Sequence, residues 1–191
     1  MRRLVLLVAL GSLVLVALGQ AASVRATSPL VGRWERVTTC QQLVAELRKV
    51  GLGAIAPYAW LSQTSSKGES SFKPGSPKPT KTHPCVGAIP RLHSHFFGTS
   101  GQFGSLDWKR GQVDDGPYQI VNSNTVRIGT PGARFHFRVL GRNTLILSPV
   151  LTKAMVRRAV ADPQQFSTAF WAVSVAYASH SWKRVACNQC G

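Results

Sequence analysis

Apolar and polar residues alternate most cleanly from Arg134 to Val139. Phe135, Phe137 and Val139 fall on one side, and Arg134, His136 and Arg138 on the other. A period of two marks a β-strand with one face turned to a core. Burying two arginines and a histidine would cost far more than exposing three apolar groups, so the aromatic set is expected to point inward. Arg91 to Phe97 alternates in the same way, with Leu92, Ser94 and Phe96 on one face and His93, His95 and Phe97 on the other. Gly98 to Gly101 predicts a turn, and Gln102 to Trp108 an antiparallel return strand. Tyr118–Val121 and Thr125–Ile128 are predicted as short strands about the hairpin turn Asn122-Ser123-Asn124. Asp114-Asp115-Gly116, Thr130-Pro131-Gly132 and Gly141-Arg142-Asn143 read as turns. Thr144 to Ser148 follows as a strand that Pro149 closes. Arg33–Thr39 opens the set, and Phe170–Tyr177 and Ser181–Ala186 end it.

Two stretches have helical spacing instead. Thr39 is placed to cap a helix over Gln41–Val50, with Leu43, Leu47 and Val50 on one face and Gly51 as a stop. Leu151–Val160 predicts a second short helix. About nine short strands with hairpin-length connections point to a mainly β fold, either a sandwich or an antiparallel up-and-down barrel. Closing a barrel removes exposed strand edges, which suits a protein working outside the cell.

The first 22 residues stand apart from this pattern. Arg2 and Arg3 precede an apolar run from Leu4 to Leu18, and Gly19, Ala21 and Ala22 follow as small residues. That order describes a cleaved secretory signal. The run is shorter than the ~20 residues a membrane span needs, and no basic stop-transfer cluster follows it. The mature chain is expected to begin near Ser23, or near Thr27 if Val24-Arg25-Ala26 is cut, and to form one domain over 23–191. Ser62 to Pro84, rich in serine, proline and lysine, has almost nothing to bury and is expected to be a disordered loop within it.

Export decides how the cysteines are read. Cys40, Cys85, Cys187 and Cys190 make an even set in an oxidising compartment, which predicts two structural disulfides. Four cysteines allow three pairings, and spacing leaves the choice open; bridges tying the C-terminal tail to the body are the expectation. Cys187-Asn188-Gln189-Cys190 has redox-dithiol spacing but lies at the C-terminus rather than at a helix start, which argues against a reactive thiolate.

The chain carries a net charge of +16 with only seven acidic residues. Such a protein is drawn to polyanions, so anionic envelope polymers or lipid surfaces are expected partners. No nucleic-acid motif or aromatic single-strand platform is present, which argues against specific nucleic-acid recognition. Nothing in the sequence assigns an oligomeric state.

Leu30-Val31-Gly32-Arg33-Trp34-Glu35-Arg36-Val37 resembles the opening strand of the calycins, the superfamily of lipocalin-like barrels, with Gly32 and Trp34 as the Gly-x-Trp signature. Ser181-Trp182-Lys183-Arg184-Val185 resembles the last calycin strand. The resemblance implies that Arg184 packs across Trp34 and closes the barrel floor. Phe135-x-Phe137-x-Val139-x-Gly141-x-x-Thr144-Leu145-x-Leu147 is similar to the late hairpin of small exported lipocalin-like bacterial proteins. The Asp–Tyr motif of true lipocalins has only a loose echo in Asp114-Asp115-Gly116-Pro117-Tyr118.

His93 and His95 are the sharpest candidate chemistry. Residues two apart on a strand share a face, and two imidazoles so placed can share a metal ion. Asp107 and His136 are the candidates for a third ligand. The acidic residues Asp107, Asp114 and Asp115 lack the spacing of a calcium loop, and no nucleophile elbow marks a hydrolase. The leading expectation is a secreted, non-enzymatic binding protein without a cofactor. Its small apolar or amphipathic ligand would be held among Phe135, Phe137 and Val139. A metal-binding protein or metal-dependent enzyme using His93 and His95, and an envelope-associated protein holding polyanions by charge, are the alternatives.

Overall fold

The computed structural model describes residues 28–60, 72–106, 112–129, 132–163, 175, 178, 180–187 and 190. The first 22 residues, expected to be a secretory signal, residues 62–71 of the serine-rich insert and Asp107 lie outside them. Eight antiparallel strands among the described residues close into one barrel in sequence order: β1 (Gly32–Thr38), β2 (Arg91–Phe97), β3 (Gln102–Leu106), β4 (Gln112–Asn122), β5 (Thr125–Ile128), β6 (Ala133–Leu140), β7 (Thr144–Pro149) and β8 (Trp182–Val185). Strand β8 closes the ring by pairing with β1, Trp34 opposite Arg184. Every other pair joins neighbours in the chain, so short turns suffice for most of the connections.

Strand β6 buries Ala133, Phe135 and Phe137 and exposes Arg134, His136 and Arg138, following the alternation of its residues. The Asp114-Asp115-Gly116 turn is corrected. These residues lie within the 11-residue β4. Phe103 pairs with Gly116 and Gly104 with Asp114, so Asp115 is the extra residue of a bulge. Gly116, at φ 117°, takes a backbone conformation that other residues rarely adopt, so a turn-like sequence bends the strand without ending it. Val175, within the segment expected as a strand at Phe170–Tyr177, is helical; most of that segment lies outside the described residues.

Outside the strand order stand α1 (Cys40–Lys49), α2 (Ala56–Ala59), which follows a short 3-10 turn at Gly53–Ile55, and α3 (Lys153–Ala161). Thr39 caps α1 reciprocally with Gln42, and Thr152 caps α3 with Met155. Leu43, Val44, Leu47, Ile55, Trp60 and Ala159 build a core of their own, separate from the barrel core around Trp34, Phe97, Phe135 and Trp182. The Cys40–Cys85 disulfide fastens α1 to the segment before β2 across 45 residues. Phe72, from the serine-rich insert, bridges to Ala88 in that segment. Cys187 bonds to Cys190, three residues on, so this bridge does not tie the tail to the body as expected. A backbone bond from Thr99 N–H to the Cys190 carbonyl does so instead.

A graded barrel interior with a cationic end

Strand register sets the inner wall. Along β1, Trp34, Arg36 and Thr38 are buried, while Val37 is half exposed. Opposite them stand His95, His93 and Arg91 in turn. The inner face of this strand pair is therefore a ladder of three rungs: Trp34–His95, Arg36–His93 and Thr38–Arg91. At a strand rise of ~3.3 Å per residue, it spans roughly 13 Å from first rung to last.

The first rung is apolar and closed. The Trp34 ring is fully buried, and its Nε1–H donates to the Leu30 carbonyl at 2.8 Å. The Arg184 guanidinium lies 4.1 Å from the Trp34 ring centre. It also donates to the carbonyls of Pro29, Val31 and Arg142, drawing the chain before β1 and the β6–β7 turn together. Gly32 makes room for this arginine. A Cβ at this position would overlap Arg184 Nη1, and its φ of 135° is strained for other residues. Gly32, Trp34 and Arg184 thus form one unit at this end. The void among Trp34, His95, Phe97, Phe103, Leu145, Leu147 and Trp182 is only about 10 Å³, enough for about one water.

The second and third rungs are polar. The Arg36 guanidinium packs 4.2 Å from the Trp182 ring centre, and that of Arg91 5.1 Å from the Trp60 ring centre. Arg91 is 2% exposed and Arg36 5%. The chain leaves β1 at Thr38 and enters α1 at Cys40, so the helical core begins at this end, and Arg91 is where the two cores meet. Arg91 Nε and Nη1, His93 Nε2 and Thr38 Oγ1 are buried with no hydrogen-bond partner among the described residues. Burial lowers the Arg91 pKa to about 10, which leaves it charged at neutral pH. Burial first, then the charges of Arg36, His95 and Arg91, hold His93 well below the usual histidine range. His95 is held at about 3 by burial and by Arg36, against a backbone hydrogen bond at Gly104 that acts in the other direction. Both imidazoles are therefore neutral at pH 7.

His93 and His95 share the inner face, their ring centroids 6.3 Å apart. His95 also stacks on Phe103 and meets Trp182 edge-on, both at 5.2 Å. His136, the candidate third metal ligand, sits on the exposed face of β6, where its Nδ1 lies 3.2 Å from Thr125 Oγ1. No group of three His, Cys, Asp or Glu among the described residues is placed to hold a metal ion. Arg36 beside the histidines also disfavours a cation.

Phe135 and Phe137 are buried on the inner wall and Val139 is partly buried, with Phe135 opposite Val126. The outer face carries Arg127 directly opposite Arg134, with Arg138 further along β6, all exposed. Outside the barrel, Val50, Leu151, Val156 and Arg157 help line an open groove of about 540 Å³. Arg36 and Arg91 were not singled out from the sequence, because an arginine on a strand is normally an outward residue. One signal was present: Arg36 has the parity of Trp34, and Arg91 that of His93, His95 and Phe97. No family model matches the chain, and neither the curated proteins nor the solved structures give a match.

Proposed function

We propose that this protein is an exported, non-enzymatic binding protein of calycin type, whose barrel takes a small amphipathic ligand. The observation that carries the reading is the grading of the inner wall, from aromatic around Trp34 and Phe103 to cationic and polar around Arg36 and Arg91. A ligand with one apolar and one polar end matches that wall in one orientation. The void of about 10 Å³ at the apolar end has room for about one water, so a ligand chain enters it only by displacing side chains. The Gly32-x-Trp34 start with Arg184 across the indole supports the calycin assignment, and two disulfides accord with export. The test is a titration with short amphiphiles followed by amide and indole chemical shifts. Shifts at Phe103, Leu147 and Trp182 are expected; shifts confined to Arg127, Arg134 and Arg138 would overturn the reading.

That second result would favour attachment to an anionic envelope polymer. The exposed arginines of β5 and β6 support this second reading. It predicts retention on a polyanion column that falls steeply with salt and is weakened by Arg134→Glu with Arg138→Glu.

A further inference from the structure

We propose that the helix-side end of the barrel interior is an oxyanion-binding subsite, built by Arg91 with Thr38 and His93, and that the polar end of the ligand is a carboxylate or phosphate. This rests on the binding reading above and adds the sign of the ligand's charge and the residues that read it.

The register brings these groups together. Thr38 and Arg91 are directly opposite, and His93 is two residues along β2 on the same inner face. Four of their polar atoms, Arg91 Nε and Nη1, Thr38 Oγ1 and His93 Nε2, are buried without a partner among the described residues. Leaving one such group unpaired is costly, and four in one patch multiply the cost. The guanidinium edge and the hydroxyl are donors, and a neutral imidazole protonated on Nε2 makes a third. An acceptor-only group carrying negative charge suits these donors: Arg91 Nη1, Thr38 Oγ1 and His93 Nε2 can each give a hydrogen bond to its oxygens. No carboxylate among the described residues shifts Arg91 or His93. Arg36, diagonally across the ladder at roughly 7–8 Å, adds positive potential. Trp60 and Trp182 hold the two guanidiniums by their ring faces, which fixes them without consuming their hydrogen-bonding edges.

The test uses the mature, oxidised protein and three probes: octanoate, 1-octanol and inorganic phosphate. Binding is read by calorimetry. Wild type is expected to bind octanoate roughly ten- to a hundredfold more tightly than octanol, the range for charge-assisted hydrogen bonds in a buried site. Arg91→Met should abolish that ratio while octanol affinity stays within about twofold. If Arg91→Met does not fold, Thr38→Val serves, with octanoate weakened about threefold or more and octanol unchanged. Equal affinity for octanoate and octanol, or a ratio that survives Arg91→Met in folded protein, would overturn the subsite and leave the amphiphile reading standing. Binding of phosphate alone, lost in Arg91→Met, would sink the amphiphile reading and keep the subsite as one for a free oxyanion. Binding of none of the three overturns both, and the buried donors are then served by water.

Discussion

Removing the Trp34 side chain tests the closed end of the barrel. The ring is fully buried and packs among Phe97, Phe103, Leu145 and Trp182, so Trp34→Ala should cost about 3–5 kcal/mol for lost packing and the cavity left behind. The indole N–H bond to Leu30 O is worth about 1 kcal/mol, and Trp34→Phe removes it while keeping most of the ring bulk. The remaining contact is with Arg184, whose guanidinium also binds three backbone carbonyls. Arg184→Met keeps the aliphatic stem, removes those bonds, and should cost about 2–3 kcal/mol. A double-mutant cycle between Trp34→Ala and Arg184→Met isolates the cation–π term, expected at ~0.5–2 kcal/mol. The assay is denaturant unfolding followed by far-UV circular dichroism, since fluorescence would lose one of its own probes. A thermal scan should show a fall of roughly 6–20 °C for Trp34→Ala. A loss below ~1 kcal/mol, or a coupling energy of zero, would refute the view that Trp34 and Arg184 close the barrel together.

Gly32→Ala should destabilise by about 1–3 kcal/mol through its positive φ and should also displace Arg184; in an Arg184→Met background the penalty should shrink, and full additivity would count against the shared unit. Stability should fall with acid. An unfolded histidine titrates near 6.5, while His95 is held at about 3 and His93 well below its usual value, so the unfolded chain binds more protons below pH 6.5. Their contribution is complete above that pH and is lost as pH drops toward 3, by up to about 1.4 kcal/mol per pH unit for each histidine, and His95→Gln should flatten the slope of melting temperature between pH 7 and 4.5. A paired Cys40→Ser and Cys85→Ser change releases a crosslink across 45 residues and should cost about 4 kcal/mol on the chain-entropy estimate. The paired change at Cys187 and Cys190, three apart, should cost about half as much, and the reverse order in unfolding experiments would contradict these pairings.

Local sequence was enough for the parts of this fold that depend on strand periodicity and helix capping, while turn chemistry misled at Asp114-Asp115-Gly116, where it bends β4 instead of ending it. The alternation in β6 places Phe135 and Phe137 against Arg134 and Arg138 on opposite faces whatever surrounds the strand, because successive side chains point in opposite directions. The same rule puts His93, His95 and Phe97 on one side of β2, and Thr39 starts α1 by supplying the oxygen that its first turn lacks. Which side faces the interior is a different matter. In β2 both faces are largely buried, with Ser94 and Phe96 as well covered as His93 and His95, so hydrophobicity could not orient it. Orientation came from pairing with β1, where Trp34 faces inward and carries Arg36 and Thr38 with it by parity. The oxyanion patch exists only because residues more than 50 positions apart meet in that register. The Cys40–Cys85 pairing depends on how α1 packs against the segment before β2, the bulge at Gly116 on the register of β4 against β3, and the seat of Arg184 against Gly32 on the closure of β8 onto β1. Sequence determined the two faces of strands with clear alternation, such as β2 and β6, but not that Asp114-Asp115-Gly116 continues β4 or that Val175 is helical; the tertiary structure decided which face is inside, because closure into a ring is a property of all eight strands at once.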